Sequence, residues 1–213
     1  NYAIFSKLNY FQNDKFTLTG AINFYKSNVK INNSSFNIFN SEDSINFVKS
    51  NFYIDNSIFS KTTSDAIDSD YSTGKIENTK FIDIGGDAID TSGSNVEINK
   101  TKIFNVGDKG ISAGEKSFVN VSNVLIDNSK IGIASKDSSE VLGSDILINN
   151  SRSYDLASYN KKKIFKGGIM NLTKVTSDNK YLSQKNSIIK INNKKIIEKN
   201  FKNKDLYWLW DTK

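Results

Sequence analysis

The sequence predicts an all-β fold, a single-stranded right-handed parallel β-helix of about seven coils of about 22 residues each. Three recurrent columns predict it. Ile45, Ile67, Ile89, Ile111 and Ile133 follow one another at intervals of 22, with Ile22 23 residues before them and Leu156 23 after. A second series is Ile31, Ile54, Ile76, Ile98 and Val121. A third is Phe36, Phe59, Phe81, Ile103, Ile126 and Ile148. Each coil therefore offers three short segments of alternating polarity, separated by turn-rich residues. Hairpins need no fixed period, and no stretch of 3.6-residue periodicity long enough for a helical repeat occurs.

The coil elements follow in order. The first strand carries the isoleucine column, and the second begins after a turn. Asn33, Asn56, Asn78 and Asn123 occupy the turn into the third strand, with Lys100 interrupting them and Ser34, Ser57, Thr79 and Thr101 following. Asparagine tolerates left-handed backbone angles and bonds to its own kind along a ladder. The expected organisation is an incomplete coil or cap over 1–19, the β-helix over 20–173 and a capping segment over 174–213. In that last segment Ser187–Ile197 reads as two strands around an Asn192-Asn193 turn. Leu206–Trp210 reads as an aromatic plug, with sugar stacking as its other reading. The absence of proline suits continuous ladders.

Composition narrows the chemistry. There is no cysteine and no histidine, and Arg152 is the sole arginine. Mechanisms that need a thiolate, an imidazole or an arginine cluster are excluded. No apolar run is long enough for a transmembrane helix. The net charge of +6 is uneven: 14 lysines face 4 acids from Lys161 onward, against 15 basic and 19 acidic residues before it. The lysine-rich end lacks a nucleic-acid recognition motif, so nucleic acid is not the expected partner.

The first strand concentrates carboxylates. With the isoleucines inward, the residues on either side are expected to face outward. These are Ala21, Ser44, Ala66, Ala88, Gly110 and Gly132 before, and Asn23, Asn46, Asp68, Asp90, Ser112 and Ala134 after. Small residues beside a polar row predict a flat, open face on which a polymer could lie. Asp68 and Asp90 should stack on adjacent rungs about 4.8 Å apart. Asp65 and Asp87 stack likewise, and Lys109 takes their phase one coil later, where it can neutralise them. The candidate catalytic carboxylates are Asp68, Asp90, Asp87 and Asp108. Candidate calcium ligands are Asp65, Asp68, Asp87 and Asp90. The candidate binding surface is Asp65, Asp68, Asp87, Asp90, Ser112, Glu115, Lys136 and Asp137. Capping of backbone N–H groups at the turn is the alternative role for these aspartates.

The coils Ser64–Asp70, Gly86–Gly93, Gly107–Ser117 and Ile131–Asp137 resemble the repeats of the pectin-lyase-like superfamily. More narrowly they resemble β-helix modules of bacterial surface or secreted proteins, some of which follow a CotH-like domain. The resemblance covers about residues 20–173 and is specific for fold, weak for activity. Polygalacturonase-type motifs would fall near Gly86-Asp87 and Asp108-Lys109, but lysine replaces an aspartate there and the histidine is missing. Pectate lyases, which use calcium and an arginine or lysine base, are similar too, but Arg152 lies away from the aspartate-rich coils. The resemblance implies an extracellular or cell-surface location. The expected function is a non-catalytic module that binds polysaccharide or a partner protein, or serves as a rigid spacer. No cofactor is required, calcium is the candidate one, and an upstream domain of the same chain is compatible. The alternative is a polysaccharide lyase or glycoside hydrolase using the stacked aspartates.

Overall fold

A computed structural model describes residues 2–15 and 17–199. The aromatic cluster at Leu206–Trp210 lies outside the described residues. The architecture is a parallel β-solenoid of about eight coils, with no helix among the described residues. First strands build one 8-stranded parallel sheet, from Gly20–Tyr25 through Asp65–Asp70, Ile89–Ser92, Lys109–Gly114 and Ile131–Lys136 to Tyr181–Ser183. Second and third strands form a 14-stranded sheet that bends at the corner between them.

The register makes the columns literal. Ile22, Ile45, Ile67, Ile89, Ile111, Ile133 and Leu156 pair in succession. Phe36, Phe59, Phe81, Ile103, Ile126 and Ile148 do the same on the third side. The phenylalanine rings stack down the interior, with centroids 4.6 Å apart for Phe36–Phe59 and 5.1 Å for Phe59–Phe81. Offset stacking adds to their burial energy. Parallel pairing continues past 173: Leu156 pairs with Tyr181 and Leu172 with Ile191. The insertion between Tyr159 and Ile169 stretches that coil, which is why its period is hard to see in sequence.

The corners are left-handed. Asn33, Asn56, Asn78, Lys100 and Asn123 all have φ between 46° and 52°. Asn56 Nδ2 donates to Asn33 Oδ1 at 2.6 Å, and Asn78 Nδ2 to Asp55 Oδ1 at 2.7 Å. A serine column holds the corner between first and second strands. The backbone N–H groups of Ser27, Ser50, Ser72, Ser94 and Ser117 donate to the hydroxyls of Ser50, Ser72, Ser94, Ser117 and Ser139 in the next coil, at 2.9–3.1 Å. These buried donors would otherwise lack partners. At the far end, Ile188–Ile191 and Lys194–Lys195 pair antiparallel around Asn192 and Asn193, both at positive φ. At the near end, Ile4–Ser6 pairs with Ser35–Phe39 as a third strand, and a short hairpin joins Phe11–Gln12 to Thr17–Leu18.

Candidate functional site

The aspartates sit on the outer side of the first-strand sheet. Asp65 and Asp43 are paired across rungs, as are Asp68 and Asp90. Asp65, Asp87 and Asp90 bring carboxylate oxygens within 4.8 Å of one another. They line a cavity of about 310 Å³ whose rim includes Gly86, Gly107, Asp108, Lys109, Lys136 and Lys161. The glycines at the rim permit close stacking: a Cβ on Gly107 would lie 1.9 Å from the Gly85 carbonyl oxygen.

The flat open face expected here does not form. Ala66 and Ala88 join the main core, and a Cβ on Gly110 or Gly132 would lie 2.9 or 2.7 Å from the side chain of Ile126 or Ile148. Ala66, Gly110 and Gly132 lie within strands, yet third-strand Ile126 and Ile148 fill the space beside this column in the later coils. In the following column, Asn46, Ser112 and Ala134 are buried. Towards the C-terminal end, Ile131, Ala134, Ala157, Tyr159 and Leu182 make a second apolar cluster.

Two lysines neutralise the carboxylates. Lys109 Nζ lies 3.4 Å from Asp87 Oδ1 and also bonds Asp108 Oδ2, while the Lys109 backbone N–H donates to Asp87 Oδ1 at 2.8 Å. Lys136 Nζ lies 3.5 Å from Asp90 Oδ1 and donates to Ser112 Oγ at 2.7 Å. Asp65 Oδ1 accepts the Asp87 backbone N–H at 2.7 Å, so this aspartate caps the neighbouring coil. The sequence reading of Lys109 as a counter-charge thus has its geometry, and Lys136 plays the same part for Asp90.

Electrostatics divide the group. Burial pushes Asp68 up to about 9, helped by the Asp90 charge. Burial also raises Asp65 well above the carboxylate range, with Asp87 and Asp90 adding to it. Burial brings Asp43 to about 6 against hydrogen bonds from Thr19 and Asn46. Burial would raise Asp90 as well, but Lys136 and Lys109 outweigh it and hold it low. Burial raises Asp87, and Lys109 offsets part of that rise.

The remaining candidates have structural partners. Asp137 is buried, and its Oδ1 accepts the backbone N–H groups of Lys161 and Lys162 at 2.7 and 2.8 Å, pinning the loop after Tyr159. Glu115 bonds Lys162. Arg152 does not lie away from the aspartate-rich coils as expected: its side chain reaches back across two coils to the carbonyls of Val106 and Gly107 at 2.8 and 2.6 Å, the latter at the rim of the aspartate cavity, and clips coils together there. As a calcium set, Asp65, Asp87 and Asp90 fit poorly, because ammonium groups already stand at Asp87 and Asp90.

A second concavity was not anticipated from sequence. A groove of about 510 Å³ crosses four rungs on the outer face of the second strands. One column is Asn28, Asn51, Thr73 and Asn95, and the next is Lys30, Tyr53, Lys75 and Glu97. Asn51 Nδ2 donates to Asn28 Oδ1 at 2.9 Å, Tyr53 OH to Glu77 at 3.0 Å, and Lys30 Nζ lies 5.6 Å over the Tyr53 ring. The polar column recurring at the 22–23-residue period was a usable signal for it.

No family model, curated protein or solved structure matches the chain. Its class therefore rests on the fold, a parallel β-solenoid. No helix among the described residues is long and apolar enough to cross a membrane.

Proposed function

We propose that the protein is a non-catalytic β-helix module of a bacterial surface or secreted protein that binds an extended polysaccharide. The observation that supports this reading most is the groove over the second strands. It repeats one amide or hydroxyl per rung along four rungs, beside a column of Lys30, Tyr53, Lys75 and Glu97. Rungs stand about 4.8 Å apart, comparable with one sugar residue of an extended chain. Amides and hydroxyls satisfy sugar hydroxyls, and an aromatic ring offers apolar contact to a sugar face. The resemblance of the coils to surface β-helix modules supports an extracellular location. Affinity electrophoresis against acidic and neutral polysaccharides tests it. A retained glycan should lose retardation in Tyr53→Ala and Asn51→Ala, while Asp90→Ala keeps it. Loss confined to Asp90→Ala would count against it.

One observation favours a second reading, a polysaccharide lyase or glycoside hydrolase. Asp68 is pushed up to about 9 while Asp90, its neighbour in register, is held low. Carboxyls driven apart in this way can serve as acid and base. Against it stand the small cavity and the lysines that occupy Asp87 and Asp90. Reducing ends or unsaturated products that vanish in Asp90→Ala would establish this second reading over the first.

A further inference from the structure

The corner between first and second strands carries an unusual set of exposed side chains. Its residues pile up rung by rung: the Lys26, Lys49 and Tyr71 backbone N–H groups donate to the Val48, Asp70 and Ser92 carbonyls of the next coil. The file continues through Gly93 and Lys116 to the loop at 160–166 and then to Lys185. Among the described residues between Gly20 and Ile191, the large apolar or aromatic side chains more than half exposed are Tyr25, Tyr71 and Ile164, at 59%, 63% and 85%. All three stand on this corner. Lys26, Lys49, Lys116, Lys163, Lys166 and Lys185 are exposed along it too.

The backbone makes these residues costly. Lys26, Lys49 and Tyr71 have φ of 49°, 51° and 50°, an angle that the corner before the third strand meets mostly with asparagine. Bulky residues at positive φ are outliers, and such strain gathers at functional positions. Gly93 makes room for the tyrosine, since a Cβ there would lie 2.8 Å from Tyr71 Cδ1. The 160–166 loop is clamped. Asn160 Nδ2 donates to the Lys162 and Phe165 carbonyls at 2.9 and 2.8 Å, and the Lys166 N–H donates to Ser138 Oγ at 2.8 Å. Ile164 is thus held in water between Lys163 and Phe165, whose ring lies 5.9 Å from Lys116 Nζ. The acids nearby leave the lysines in excess: Glu115 bonds Lys162, Asp137 is buried and Asp70 is half-buried.

We propose that this edge docks the solenoid lengthwise on an anionic phospholipid bilayer. Rungs about 4.8 Å apart make it about 34 Å long. Lysines meet lipid phosphates, tyrosine rings suit the headgroup level, and an aliphatic tip reaches the acyl boundary. A soluble polyanion would answer the lysines but leave Ile164 in water, so it fits this edge less well. None of these residues lines the groove assigned to polysaccharide, so the two readings stand or fall separately.

Co-sedimentation with vesicles tests it. The chain should sediment with phosphatidylcholine vesicles containing about one third phosphatidylglycerol and stay in solution with phosphatidylcholine alone. Ile164→Ser should weaken partitioning by about tenfold, and Lys163→Gln/Lys166→Gln by about fivefold for each lysine removed. Tyr71→Asn should weaken it as well while keeping or raising the melting temperature, because asparagine tolerates this corner. Lys80→Gln/Lys102→Gln removes the same charge from the third-strand face and should bind as the parent does. No sedimentation, or equal sedimentation without anionic lipid, would overturn the proposal. So would an Ile164→Ser variant that binds like the parent, which would point to a soluble polyanion. Equal loss in Lys80→Gln/Lys102→Gln would overturn it too, since net charge rather than this edge would then be responsible.

Discussion

Lys109 holds two carboxylates at once, Asp87 on the preceding coil and Asp108 beside it, with its own side chain almost fully buried. Removing one partner of a buried ion pair leaves an uncompensated charge and costs about 3–5 kcal/mol. Lys109→Met should lose about that much in urea unfolding, and Lys109→Met/Asp87→Asn should recover part of it. Asp68 gives a pH signature. Its folded pKa of about 9 lies far above the unfolded value of about 3.9, so between them the folded state holds a proton that the unfolded state has lost. Its stabilising contribution is complete below the unfolded pKa and disappears as pH rises towards 9. Thermal melts from pH 5 to pH 9 should therefore fall less steeply for Asp68→Asn than for the parent; equal slopes would show that Asp68 is not held protonated. The pairing of Asp68 with Asp90 was legible from spacing alone. The closed outer face was not, because burial of Ser112 and Ala134 depends on how Ile131, Ala157, Tyr159 and Leu182 gather, which no local pattern encodes.

Corners and columns decide whether a coil stays in register. Asn56 adopts φ 46° and donates to Asn33. A left-handed angle costs a residue with a Cβ about 1–2 kcal/mol, which asparagine offsets by local hydrogen bonding. Asn56→Ala should be destabilised by about that amount, and Asn56→Gly by less, in equilibrium denaturation. Ser94 accepts the Ser72 backbone N–H and donates to the Ser69 carbonyl at 2.7 Å. Ser94→Ala leaves a buried donor unsatisfied and should cost about 1–3 kcal/mol. Phe59 stacks between Phe36 and Phe81, so Phe59→Ala should cost about 3–5 kcal/mol. The phenylalanine and asparagine columns were readable because residue type persists at each phase. The serine column, just as regular at 27, 50, 72, 94, 117 and 139, passes for generic turn composition until the cross-coil hydrogen bonds are seen.

At the scale of the whole molecule, stability comes from repeated contact between adjacent coils, so the ends differ from the middle. The C-terminal end turns back on itself at Asn192 and Asn193, whereas the N-terminal end leaves Gly20–Tyr25 and Asn28–Asn32 with free edges. The period in the sequence specified the solenoid between Ile22 and Leu156. It faded where the loop after Tyr159 lengthens one coil, although Leu182 and Ile189 still stack inside or against the sheet beyond it.

The stacking itself can be measured with paired cysteines, since the native chain contains none. Asn51 and Thr73 are register partners on adjacent rungs, as are Thr73 and Asn95, and all three side chains are exposed. Parallel neighbours about 4.8 Å apart lie within disulfide reach, whereas positions two rungs apart do not. Oxidation should cross-link Asn51→Cys/Thr73→Cys and Thr73→Cys/Asn95→Cys within one chain and leave Asn51→Cys/Asn95→Cys reduced. Failure of both adjacent pairs, or ready closure of the two-rung pair, would contradict a parallel solenoid with this register.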